Sequence, residues 1–193
     1  MAYSMEEGLR HPSDEELMRR TRGGDDAAFA ALVRRYEAPL FNFARRMLGH
    51  GSEADDVFQE TFVRVYRHRD RFDSGLRFRP WLYRIAANLC RDRRRWWKRR
   101  PGDDYSVDVD HASIADTASS PSDHARAAEI GAAIDAAVAR LPEKHRAVFV
   151  MARYDGLGYD EIAAALGIPV GTVKSRMNKA AAVLIEQLRE HYP

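Results

Sequence analysis

Residues Tyr159 to Asn178 read YDEIAAALGIPVGTVKSRMN, and this stretch decides the fold. Ile162, Leu166, Ile168 and Val173 are spaced to give two short helices one shared core. Gly167 falls between the helices, where a left-handed residue ends a helix with least strain. Ala163 is small where the second helix has to cross closely. That second helix divides into faces. Val173, Met177, Ala180, Leu184 and Leu188 form an apolar stripe; Gly171, Lys174, Ser175 and Asn178 lie on another face, with Lys179 beside them. A short, polar, basic face near a helix amino end is what reading the major groove of DNA requires. The amino end also offers free N–H groups and the helix dipole to a phosphate. An ordinary helical hairpin with a solvated basic face has part of this pattern. The combination of Ala163, Gly167 and Val173 followed by Lys174 and Arg176 is more specific.

Outward from this pair the chain continues to read as helices, and no strand alternation is convincing. Pro142 opens a helix that Asp155-Gly156 breaks, and periodicity begins near His124. From Pro101 to Ala125 there is no Lys or Arg, while Asp103, Asp104, Asp108, Asp110, Asp116 and Asp123 are present. This composition predicts a flexible acidic linker. Nearer the start, Ser13 and Glu16 form a capping box for a short helix that stops at Gly23-Gly24. A second helix is expected from about Asp25 to Leu48, with Phe29, Leu32, Val33, Tyr36, Leu40, Ala44 and Met47 on its apolar face. Pro39 is expected to kink or locally break it. A third helix spans roughly Glu53 to Arg69, with Val57, Phe58, Thr61, Phe62, Val65 and Tyr66 as its stripe. A loop follows over Asp70 to Arg79, then a fourth helix from about Pro80 to about Arg100. The expected fold class is all-α: a tail over 1–12, two small helical domains over 13–100 and 126–193, the second ending in a helix-turn-helix, and the flexible acidic linker over 101–125 between them.

The fourth helix ends RDRRRWWKRR, Arg91 to Arg100: seven cations and one Asp, a local charge of 7 − 1 = +6. Such density repels itself unless an anion is near, so a phosphate backbone is the natural partner. Trp96 and Trp97 interrupt the run. Aromatic rings stack on unpaired bases, and they equally cover cores; both readings stay open here. Trp81 shares a face with Ile85 and reads as core. Asn88 is a polar amide three residues past Ile85. An asparagine can make a bidentate contact with a base edge, or simply sit on a helix surface.

Composition sets the limits. The 193 residues are 45% hydrophobic and 31% charged, with a net charge of only +2, so the position of charge matters more than its sum. Cys90 is the one cysteine, which rules out an internal disulfide and a CxxC zinc site. Met1 to Pro12 lacks the apolar run of a signal peptide, and no stretch approaches the roughly 18 apolar residues of a membrane span. The seven histidines are scattered and the acidic residues form no metal cluster. A cytoplasmic non-enzyme without metal or cofactor is expected.

Three segments together carry a family resemblance: DDVFQETFVRVYR (Asp55 to Arg67), RPWLYRIAANLCRDRRR (Arg79 to Arg95), and LPEKHRAVFVMARYDGLGYDEIAAALGIPVGTVKSRMNKA (Leu141 to Ala180). With the helix from Phe29 to Leu48, they make the chain resemble the extracytoplasmic-function sigma factors, which direct RNA polymerase to promoters and promote strand opening. The resemblance implies core RNA polymerase and promoter DNA as partners. It also implies an anti-sigma protein, often membrane-tethered, with no membrane insertion by this chain itself. By position, Asp56, Gln59 and Glu60 match the polymerase-docking residues, and their spacing puts them on one helical face. Asp73, Ser74 and Phe78 lie in the loop that cradles a flipped base of the minus-ten element. Asn88 matches a residue that captures that base, with Arg91, Arg94, Arg95 and Lys98 behind it on the DNA. Thr172, Lys174, Ser175, Asn178 and Lys179 match the minus-thirty-five reader. Gly158 stands where many relatives carry a Ser or Thr cap.

The two promoter elements lie about 70 Å, two DNA turns, apart. A relaxed 25-residue coil spans only about 25–30 Å, whereas full extension reaches roughly 80–90 Å. Family members draw the linker out through the polymerase cleft. A conventional helix-turn-helix regulator, which needs a dimer and a palindrome, is the competing class. A protein binding RNA through the basic, aromatic helix is a third.

Overall fold

Ser13 accepts a hydrogen bond from the Glu16 N–H at 3.2 Å and starts α1 (Asp14–Arg22); this is one half of the expected capping box, and the Glu16 carboxylate accepts from Arg19 instead of from the Ser13 N–H. The computed structural model describes residues 12–49, 51–73, 75–99 and 121–189, with side chains omitted for 121–128. Asp25 caps α2 (Asp26–Leu48) by accepting from the Ala28 N–H at 3.0 Å, and Gly49 closes it in a left-handed conformation. Then follow α3 (Gly51–Arg67), a 3₁₀ turn (Arg69–Arg71) and α4 (Phe78–Lys98). The second module holds α5 (Pro121–Arg140), α6 (Glu143–Arg153), α7 (Tyr159–Leu166) and α8 (Val170–Arg189). Every regular element among the described residues is helical. Most of the linker expected over 101–125 lies outside the described residues.

Two expectations need correction. Pro39 does not break α2, which runs through it unbroken. The proline faces solvent, where water can take the carbonyl of Arg35 that its missing N–H leaves open. The fourth helix begins at Phe78 rather than near Pro80. Arg77 offers no side-chain cap, so a carboxylate comes from elsewhere: the Phe78 N–H donates to Glu15 Oε1 at 3.0 Å. Glu15 thereby ties α1 to the start of α4.

The first module packs α1, α2, α3 and α4 around Leu32, Leu40, Phe43, Phe62, Phe78 and Tyr83. Phe43 meets Tyr83 edge to face with centroids 5.2 Å apart; Tyr36, Phe72 and Trp81 gather around Phe78. The second module closes over Val148, Val150, Met151, Ile162, Val173, Met177, Ala180 and Leu184. The predicted stripe of the second reading helix is therefore buried as expected, with Leu188 half-buried at its end. The two modules touch: α7 packs on α4, and α6 packs on α2.

Candidate nucleic-acid and polymerase interfaces

The turn of the helix-turn-helix forms as the residues dictate. Gly167 adopts φ 65°, and its N–H donates to Ala163 O. Ile168 N–H also reaches Ala163 O, at 3.1 Å, so one carbonyl ends α7 twice over. At the other end of α7, Gly158 supplies no side chain, and Glu161 turns back to accept from the Gly158 N–H at 2.9 Å. Val173 and Met177 anchor α8, leaving Lys174, Ser175, Asn178 and Lys179 exposed along it; Thr172 is half-buried. The face is electropositive: burial, then Lys144, Lys179 and Arg176, lowers the His145 pKa below its usual value.

In the first module, Asp56, Gln59 and Glu60 share one groove between α3 and α4, together with Val63, Leu89 and Trp96. Asp56 and Gln59 are exposed and Glu60 is half-buried. Arg93 crosses from α4 to Glu53 at 2.6 Å and Asp56 at 3.1 Å, while Glu60 pairs with Arg64 at 2.8 Å. The groove is mixed in character: Val63 and Arg64 join the acidic residues on the α3 wall, Leu89, Asp92 and Arg93 line the α4 wall, and Trp96 is 44% exposed at the rim. Trp97 packs partly against the core instead.

The minus-ten candidates separate. Asn88 is exposed on α4, and its Oδ1 accepts from Arg91 Nη1 at 3.1 Å, which orients the amide. Asp73 is exposed and shapes its loop by accepting from the Gly75 N–H at 2.9 Å. Ser74 lies outside the described residues. Phe78 is not on the loop surface: it is fully buried in the aromatic cluster. As placed here it supports the loop from beneath and does not face a base. Arg95 and Lys98 are exposed. Arg91 and Arg94 are turned to the second module, each with Nε 3.8 Å from Glu143.

Sequence reasoning missed the residues at the junction of the modules. Arg146 is 5% exposed and donates to Met47 O at 3.0 Å, to Leu141 O at 3.0 Å and to Ala139 O. Met47 O also accepts from Arg94 Nη1 at 2.9 Å. Arg46 stacks over the Tyr154 ring and lies 3.8 Å from Asp135. Beside them the Tyr83 hydroxyl and the Asp155 carboxyl are buried together. Burial pushes the Asp155 carboxyl up to about 7, although Tyr83, Arg46 and Arg79 act the other way. The folded chain therefore keeps this proton over a range where the unfolded chain has lost it. From this group, stability is greatest below about pH 4 and falls as pH rises to about 7. Asp155→Asn is expected to abolish that slope and to exceed wild type by about 1–3 kcal/mol at pH 8. Urea titrations of both chains from pH 5 to 8 check it, and parallel curves would refute it.

Residues 32–100 match Sigma-70 region 2, and residues 131–184 match Sigma-70, region 4. In that order on one chain, these regions define a promoter-recognition subunit of RNA polymerase. The chain is 37% identical over 185 residues to the ECF RNA polymerase sigma factor SigW of Bacillus subtilis (strain 168), covering 91% of this chain and 97% of that one. It is 34% identical to the ECF RNA polymerase sigma-E factor of Escherichia coli (strain K12), covering 87% and 90%. Among solved structures it is similar to CnrH in complex with the cytosolic domain of CnrY, with TM-score 0.68, 29% identity, and 93% and 99% of the two chains covered. It is also similar to the sigma factor RpoE in complex with the anti-sigma factor NepR from Bartonella quintana, with TM-score 0.63, 25% identity, and 83% and 96% covered. The chain belongs to the extracytoplasmic-function sigma factors, initiation factors that bind RNA polymerase and select promoters, and not to the conventional regulators.

Proposed function

We propose the following division of labour for this chain. The groove of Asp56, Gln59 and Glu60 docks on core polymerase. The loop around Asp73 and the α4 face carrying Asn88 take a flipped base of the minus-ten element. Arg91, Arg94, Arg95 and Lys98 hold the adjacent phosphates, and Thr172, Lys174, Ser175, Asn178 and Lys179 read the minus-thirty-five element. Polymerase performs the chemistry, and this chain adds no catalytic group. It works in the cytoplasm; no described helix is long and apolar enough to cross a membrane. An anti-sigma protein, of the membrane-tethered kind, is the proposed regulator.

The observation that carries this reading is the pairing of Asn88 and Arg91 at 3.1 Å on α4, just ahead of the basic run. It presents an oriented amide and a line of cations on one helix. Base capture offsets the few kcal/mol that unstacking a base costs, so it acts on opening more than on binding. The test is run-off transcription with core polymerase on a randomised promoter library, followed by permanganate footprinting of a selected promoter. Initiation dependent on the chain is expected. Asn88→Ala is expected to lower open-complex signal about tenfold or more, with closed-complex binding within about twofold of wild type. Equal loss of both would remove the role of Asn88, and absence of initiation from every template would remove the whole reading.

A further inference from the structure

Helix α4 turns two different faces to its surroundings. Asn88, Arg91 and Arg95 follow one another at spacings of three and four, on the face proposed above to read DNA. Leu89, Arg93 and Trp96 follow at four and three and make a second face. The contacts of Arg93 fix its direction: it bonds Glu53 at 2.6 Å and Asp56 at 3.1 Å, both on α3. Trp96 accordingly lines the α3–α4 groove together with Asp56, Gln59 and Glu60. It is 44% exposed, and Val63 on the facing wall is 42% exposed. Single exposed apolar side chains are ordinary on a protein surface, but two that line one groove mark a place where a partner binds. The groove also holds three carboxylates, Asp56, Glu60 and Asp92, against two guanidiniums, Arg64 and Arg93. Its balance is 2 − 3 = −1, which suits a partner that brings cations.

We infer that Trp96 is a second anchor for core polymerase: it closes the α4 side of the docking groove over a polymerase segment that carries Lys or Arg beside aliphatic side chains. This rests on the docking role proposed above for Asp56, Gln59 and Glu60. The indole suits that partner in two ways. Its face attracts a guanidinium or ammonium, with the groove carboxylates beside it to share the charge. Its broad apolar surface buries against aliphatic side chains, and Trp is enriched among the few residues that dominate interface energies. Unpaired bases also stack on indoles, but the position on the helix favours the groove. Eight residues past Asn88, Trp96 is turned about 80° away from it around the helix axis, toward α3 and away from Arg91 and Arg95.

The test uses the full chain, dye-labelled and titrated with core polymerase; holoenzyme assembled at saturating chain is then titrated with promoter DNA. Trp96→Ala is expected to lower core affinity about tenfold or more. Trp96→Phe, which keeps an apolar ring, is expected to stay within about threefold of wild type. Promoter affinity of the saturated Trp96→Ala holoenzyme is expected within about twofold of wild type, because the phosphate contacts are untouched. The unfolding midpoint is expected to move by no more than about 3 °C, since the ring is largely exposed. Unchanged core affinity in Trp96→Ala would overturn the inference, and a loss of promoter affinity in its place would assign the ring to base stacking. Lost core affinity with a midpoint lowered by more than about 10 °C would also overturn it, because the ring would then serve the fold. Asp56→Arg with Glu60→Arg, run alongside, separates this inference from the docking role beneath it. Should that pair release core while Trp96→Ala does not, the Trp96 anchor alone is lost. Should neither release core, the docking role is lost with it.

Discussion

Arg146→Met is expected to destabilise the chain by about 2–4 kcal/mol, because it leaves two buried carbonyls without their donor. The reason is the company the guanidinium keeps. Met47 lies in the last turn of α2 in one module, and Ala139 in the last turn of α5 in the other; Leu141 is the first residue past α5. Helix carboxyl ends carry unpaired carbonyls and partial negative charge. Arg146 satisfies both ends at once, with no carboxylate bonded to it. Burial, with Arg94 nearby, lowers its pKa to about 10, so it remains charged at neutral pH. Methionine fills the volume but strands the carbonyls of Ala139 and Leu141, each an unsatisfied buried acceptor. Arg146→Lys is expected to recover less than half, because one ammonium on a flexible stem cannot reach three acceptors in a fixed fork. Urea denaturation at pH 7 with circular dichroism measures both. A loss under about 1 kcal/mol for Arg146→Met would show that water replaces the guanidinium without penalty.

That residue also marks where the sequence stopped being legible. The helices were readable because each carries its own evidence: the Ser13 cap, the stripe from Phe29 to Met47, the Gly167 turn. Those signals are local, and their bonds close within a few residues. The Arg146–Met47 bond joins positions 99 apart in the chain, and no periodicity records it. One trace was present. Arg146 lies one helical turn before Val150, which is fully buried, so a cation occupied an apolar register in α6. Phe78 shows the converse error. Its position in a loop motif implied a surface role, yet the ring completes the core with Tyr36, Phe72 and Trp81. The basic run was read correctly as a charge cluster. Its members nonetheless divide: Arg93 faces the α3 groove, Arg91 and Arg94 face Glu143, and Arg95 and Lys98 stay exposed. Helical spacing separates such faces, but only the packed partners say what each face meets.

The double substitution Asp56→Arg with Glu60→Arg is expected to weaken core polymerase binding by about 100-fold or more. The groove offers a partner the Asp56 and Glu60 carboxylates and the Gln59 amide beside Val63 and Leu89. Losing one partner of a desolvated charge pair at an interface costs about 2–5 kcal/mol, and reversal adds repulsion to that loss. The fold has little stake in these groups. Asp56 is exposed, and its bond to Arg93 duplicates the one that Glu53 makes at 2.6 Å. Glu60 pairs only along its own helix, with Arg64, and such pairs contribute a few tenths of a kcal/mol. The unfolding midpoint is therefore expected to move by only a few degrees, and binding to an isolated minus-thirty-five duplex by less than about threefold. Gln59→Ala is expected to cost less, about tenfold, because a neutral amide is lost without repulsion. Fluorescence titration of labelled chain against core enzyme reads all three. Core affinity within about threefold of wild type for the double variant would move the docking site off this groove, and the exposed Trp96 rim would lose its reason for lying beside it.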